Sequence, residues 1–160
     1  MDFPPLASVV PHAPPMLLLD RVLAHTATET TCALRPAESA LFADGEGRIP
    51  AYLSLEWMAQ CIAAHGGLHG HAEGSPPRPG LFLGTRRARL PGRSFPPEGE
   101  LLVSARWHHG RGVGAHAFAC TLRAPGESGS LAEGLLNVLI FESLDALQGP
   151  ASGAGDPTWR

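Results

Sequence analysis

Chemistry in this chain has its best starting point at Glu56, which stands in the stretch IPAYLSLEWMAQC (49–61), where nearly every neighbour is apolar. A carboxylate in such a setting either finds a partner or is pushed toward its neutral form, and a neutral carboxyl is what a general acid needs. An exposed helical Glu beside an Arg is the plain alternative, but the apolar company argues against it. Gln60 follows four residues later, which on a helix puts it on the same face as Glu56. Pro50 stands just ahead of the expected helix, so the free N–H groups of its first turn offer a place to hold a developing oxyanion.

Other side chains compete for a role. His12, in VPHAPPM, is a candidate base, since histidine as a residue type titrates near neutral pH, although a His between prolines also serves as a structural hydrogen-bonding residue. His65, His69 and His71 in HGGLHGH invite a metal reading. The interleaved glycines are expected to break any helical i, i+4 pairing, and no acid or Cys stands at ligand spacing, so no metal is expected. His108 and His109 fall at a strand end, facing opposite sides. Arg86, Arg87, Arg89 and Arg93 crowd into TRRARLPGR. That cluster reads either as charge protecting an edge strand or as a docking patch for an acidic partner.

The elements that must position these groups follow from period and punctuation. YLSLEWMAQCIAAHGGL has helix formers and apolar residues in almost every direction around the axis, the pattern of a central helix, with Gly66-Gly67 expected to stop it. MLLLDRVLAH (16–25) leaves helix and strand undecided, whereas ETTCALR (29–35) reads as a strand. Residues 36–50 are turn-rich, and LHGHAEGSPPRPG (68–80) reads as a long loop. LFLGTRRARL, ELLVSARWHH, GAHAFACTLRA and SLAEGLLNVLIFE are four strand-length segments separated by Gly and Pro turns. Consecutive strands with short connections predict an antiparallel sheet, and one buried helix against it predicts an α+β fold. The small polar stretch 148–160 reads as a flexible tail.

Totals bound the function classes. At 160 residues, with 44% hydrophobic and 17% charged residues, the chain is expected to be a single globular domain over 1–147. Its net charge of -3 argues against general nucleic-acid binding. Three widely spaced cysteines and the lack of a long apolar run predict a reduced, cytoplasmic protein that is not inserted in a membrane.

Three stretches, in order, resemble the hotdog-fold beta-hydroxyacyl-carrier-protein dehydratases. IPAYLSLEWMAQ resembles the start of that family's central helix, with its acid. VPHAPPMLLLDRV (10–22) is similar to the N-terminal Pro-His, apolar run and Asp-Arg-Val, and ARLPGRSFPPEGE (88–100) to the strand and turn after the helix. The Pro-His-x-x-Pro-Met opening, the short Asp-Gly loop and the Gly-rich segment after the helix are most similar to the dehydratase-like proteins of aryl polyene biosynthesis. The resemblance implies a hotdog fold, one long central helix wrapped by a curved antiparallel sheet, that forms a homodimer or a heterodimer with another hotdog subunit. It implies elimination of water from a 3-hydroxyacyl thioester carried on the phosphopantetheine arm of an acyl carrier protein, with no other cofactor.

Carried over, Glu56 is the acid, Gln60 its orienting neighbour, and Ala51 and Tyr52 supply oxyanion N–H groups. Ala51 stands where the family has Gly. Arg86, Arg87, Arg89 and Arg93 would dock the carrier protein. The family's base, in a Gly-His-Phe-Pro-Gly turn, has no counterpart in LFADGEGR. Three explanations stay open: His12 replaces it, Asp44 or Glu46 does, or the chain is a non-catalytic subunit pairing with an active one. Acyl thioester hydrolysis uses the same fold and is a further alternative.

Overall fold

The computed structural model describes residues 2–92 and 94–143. Arg93 and the stretch expected to be a tail therefore lie outside the described residues. The strands are β1 (Arg21–His25), β2 (Glu29–Leu34), β3 (Ile49–Pro50), β4 (Gly80–Arg89), β5 (Ser94–Phe95), β6 (Leu101–His109), β7 (Gly114–Arg123) and β8 (Ala132–Ile140); the helix α1 covers Ser54–Ala72. Six strands form one antiparallel sheet in the order β1-β2-β6-β7-β8-β4, and β3 pairs with β5 separately. The undecided segment 16–25 resolves as a lead-in to β1, because β2 offers it a hairpin partner from Arg21↔Ala33 to His25↔Thr30.

The four C-terminal strands do not line up in chain order. β4 skips β6 and pairs with β8, from Gly80↔Ile140 to Arg89↔Glu133, which places the Arg-rich segment on the sheet edge. At the far end of β6 a register shift between Trp107 and His109 undoes simple alternation. His108 and His109 therefore do not point apart: their Nδ1 atoms are 3.0 Å apart on the exposed surface.

Helix α1 lies against β2, β6 and β7. Trp57, Met58, Cys61 and Ala64 are fully buried, joined in the core by Leu34, Val103 and Leu122 from the sheet. Each large apolar side chain so buried contributes about 1.5–3 kcal/mol. Trp57 Nε1 donates to Ser39 Oγ at 3.1 Å, pinning the 3-10 segment Pro36–Phe42 over the helix. The cysteines are free and buried; burial pushes the Cys120 thiol up to about 12 and that of Cys61 well up, so both are held as neutral thiols.

Gly66-Gly67 does not end the helix. It runs on to Ala72, converting the start of the expected loop into another turn. The stop is Gly74, in the left-handed region at φ 70, with Gly74 N–H donating to His71 O and Ser75 N–H to Gly70 O. That pair of bonds is the Schellman arrangement. Gly67 serves close approach instead: a Cβ there would collide with the carbonyl oxygen of Val9. The N-terminal segment thus crosses directly over the helix, and this crossing delivers His12 to it.

Among the described residues no helix is long and apolar enough to cross a membrane.

Candidate active site

Gln60 is the fixed point. It is fully buried, and its amide is used on every side: Nε2 donates to Met16 O at 2.7 Å and to Glu56 Oε1 at 2.8 Å, while Oε1 accepts from Leu18 N–H at 2.9 Å. A buried amide left unpaired costs about 1–3 kcal/mol per group, so this set of bonds both locks the 16–18 segment onto α1 and fixes the carboxylate. Glu56 resolves its apolar setting by finding partners. Its side chain is 35% exposed, and His12 Nε2 lies 3.6 Å from the same Oε1. No described hydrogen bond engages Glu56 Oε2. His12 Nδ1 is buried and makes no hydrogen bond among the described residues.

Glu56 and His12 open into a cleft of about 590 Å³. Along α1 its wall includes Glu56, Ala59, Ala63, Gly66 and Gly70, at spacings of three and four, with Ile62, His65 and His69 beside them and Glu73 at the C-cap, so one side of the helix faces the cleft. Phe82, Phe118 and Val138 supply apolar surface opposite. From Glu56 to Gly70 the stripe runs about 21 Å at 1.5 Å per residue, long enough for an extended acyl chain.

Other expected site residues fall elsewhere. Ala51 and Tyr52 form a 3-10 turn before α1; Ala51 is buried, Tyr52 is exposed, and neither lines the cleft. Asp44 closes its own turn, accepting from Glu46 N–H and Arg48 N–H, and with Glu46 borders a separate depression. Arg89 is held by Glu133 at 3.1 Å, while Arg86 and Arg87 are exposed and make no ion pair among the described residues. Arg78, which sequence reasoning passed over, is exposed at the cleft. Its flanking prolines in PPRP were the available signal, since they hold it out on an extended segment.

The helix extension also brings together residues expected to stay apart. His65 and His69 are i, i+4 on α1, both line the cleft, and His25 of β1 joins them: one ring nitrogen from each lies within 4.8 Å of the others. The expectation that glycines prevent this pairing is overturned by the unbroken helix. Burial, then the neighbouring His69 and His25, lowers the His65 pKa to about 4, and burial followed by His69 lowers that of His25.

Several solved structures share this architecture. The dehydratase heterocomplex ApeI:P from Xenorhabdus doucetiae aligns with a TM-score of 0.84 at 22% identity, covering 92% of this chain and 97% of that one. An HP0420 homologue from Helicobacter felis gives 0.61 at 14% identity, with 88% and 91% covered. A hypothetical thioesterase protein with coenzyme A from Streptococcus pneumoniae TIGR4 gives 0.54 at 11%, with 77% and 86% covered. At these identities the likeness establishes the fold, which is the hotdog fold. No curated protein sequence matches the chain significantly. The family model for ApeP-like proteins, described as ApeP dehydratase, matches residues 4–148, nearly the whole chain. With its hotdog fold and an acid on the central helix, the chain belongs to the ApeP-like dehydratase family.

Proposed function

We propose that the chain is a 3-hydroxyacyl-carrier-protein dehydratase in which Glu56 and His12 share the proton work. The observation that carries this reading is the 3.6 Å approach of His12 Nε2 to Glu56 Oε1 in the cleft along α1. His12 takes the C2 proton of the acyl thioester, and protonated Glu56 gives its proton to the C3 hydroxyl. The C3–O bond breaks, the C2–H electron pair becomes the C2=C3 double bond, and water leaves. The pair is left as imidazolium and carboxylate. Proton return from His12 to Glu56, directly or through the product water, resets it. Gln60 positions the acid without touching substrate. Arg78, Arg86 and Arg87 are exposed cations available to an acidic carrier protein, whose arm would feed the acyl chain along α1.

The test is enoyl formation from a 3-hydroxyacyl carrier protein. Glu56→Gln and His12→Ala are each expected to lower kcat by about 10²–10⁴, the usual contribution of a general acid or base. Undiminished turnover in both variants would sink the reading, and release of free thiol would replace it with thioester hydrolysis.

A second reading is supported by the edge strand β4. Its Leu81, Phe82 and Leu83 are exposed, and one of the similar structures above is a heterocomplex. In that reading the chain pairs through β4 with another hotdog subunit that performs the chemistry. Activity appearing only on co-expression, and surviving Glu56→Gln, favours it.

A further inference from the structure

His25, His65 and His69 form a cluster that the proposed dehydration does not use. The rings meet edge to face, with centroids 4.7 Å apart for His65–His69, 4.8 Å for His25–His69 and 5.4 Å for His25–His65. Thr30 sits between two of them: its Oγ1 is 2.8 Å from His25 Nδ1 and 2.9 Å from His65 Nδ1. With Nδ1 engaged on both, Nε2 is the nitrogen each ring has left, and no described hydrogen bond uses it. His69 makes no side-chain hydrogen bond among the described residues. His65 is buried, His25 and His69 are half-buried, and His65 and His69 open on the cleft.

We propose that these three histidines bind a borderline divalent transition-metal ion, of which Zn(II) is representative, with the cleft side left open for water or another ligand. Imidazole donors suit such ions, and three protein ligands with a fourth position facing a cavity is the arrangement of an open zinc site. Zn–N bonds of about 2.0–2.1 Å at tetrahedral angles put ligand nitrogens about 3.4 Å apart. The nearest nitrogens of the three rings lie within 4.8 Å of one another, so reaching that spacing takes a closure of about 1.4 Å for those nitrogens, and a ring rotation wherever Nε2 is not the near one. Half-buried His25 and His69 can supply that by ring rotation. Ligating histidines are ordinarily oriented through their other nitrogen, which is the place Thr30 holds. Burial and the neighbouring rings also lower the pKa values of His65 and His25, so an ion meets less competition from protons at those two rings.

The test uses the full chain without a histidine tag, titrated calorimetrically with Zn(II), and with Co(II) followed by its visible absorption. Saturable 1:1 binding is expected, at least ~10-fold weaker in His69→Ala and in His25→Ala, and about 10-fold weaker in Thr30→Val. Both histidines are half-buried, so the alanine variants should fold, and thermal melts verify that. His71→Ala and the double variant His108→Ala/His109→Ala control for surface binding and should bind as the parent does. Absence of saturable binding overturns the proposal. So does affinity unchanged in His69→Ala and His25→Ala, or lost in the surface variants instead. The readout is metal binding, so it stands whatever becomes of the dehydratase reading.

Discussion

A histidine packed against two others stays buried by staying neutral. The groups on His65 are Thr30, His25, His69 and the edge of Phe118; none is acidic, so nothing there stabilises an imidazolium. In the unfolded chain His65 takes its proton near 6.5, in the fold near 4. Between those values the unfolded chain binds more protons. Stability is therefore whole above about pH 6.5, falls as pH drops toward about 4, and levels off below. The full difference corresponds to about 3 kcal/mol. Urea denaturation of the metal-free protein from pH 7.5 down to 4, an interval chosen about these two values, should show that loss, reduced in His65→Gln. An identical pH slope in the variant would refute the assignment. The i, i+4 relation of Glu56 and Gln60 was legible in the sequence, because helical geometry alone gives it. The bonds from Gln60 to Met16 and Leu18 were not, because they depend on the path of a Pro-rich segment that has no period of its own.

Helix α1 shows where local propensity misleads. Its start, its helix formers and its burial were readable, since apolar residues surround the axis from Leu53 to Ala64. Its end was not, because two adjacent glycines carry the composition of a stop while tertiary contact gives them another use. Gly66 and Gly67 separate the two effects. At Gly66 an added Cβ has nothing within 4 Å, so Gly66→Ala should remove a helix penalty and stabilise by about 0.5–1 kcal/mol. At Gly67 the same methyl strikes the Val9 backbone, which cannot rotate away. Gly67→Ala should cost about 3 kcal/mol or more, and should free the N-terminal segment that carries His12. Equilibrium denaturation measures both. Equal stability of the two variants would mean that the close crossing at Val9 does not constrain the fold. Had the helix ended at Gly66-Gly67, His65 and His69 would not share a face.

At the scale of the molecule, the α+β class was legible from strand-length segments and one apolar helix, but strand order was not. Pairing of β4 with β8 joins residues about 50 apart, and no local pattern distinguishes it from pairing with β6. The order matters because it leaves β4 on an edge, bearing Leu81, Phe82 and Leu83 at 45%, 44% and 56% exposure. An edge strand with consecutive apolar residues invites pairing with another sheet, and Lys on an edge discourages it. Leu81 and Phe82 also line the cleft, whereas Leu83 does not. Leu83→Lys therefore separates association from substrate contact. A side chain already in water in the isolated chain loses little when replaced by a charge, so a monomeric protein should tolerate the change with unaltered mass and stability. If β4 is the joining edge, light scattering after size exclusion should find the parent at twice the chain mass or more, alone or with a second hotdog subunit. The variant should then shift toward the single chain. A parent that is monomeric both alone and in the presence of such a subunit, or a variant that associates as the parent does, removes β4 as the interface.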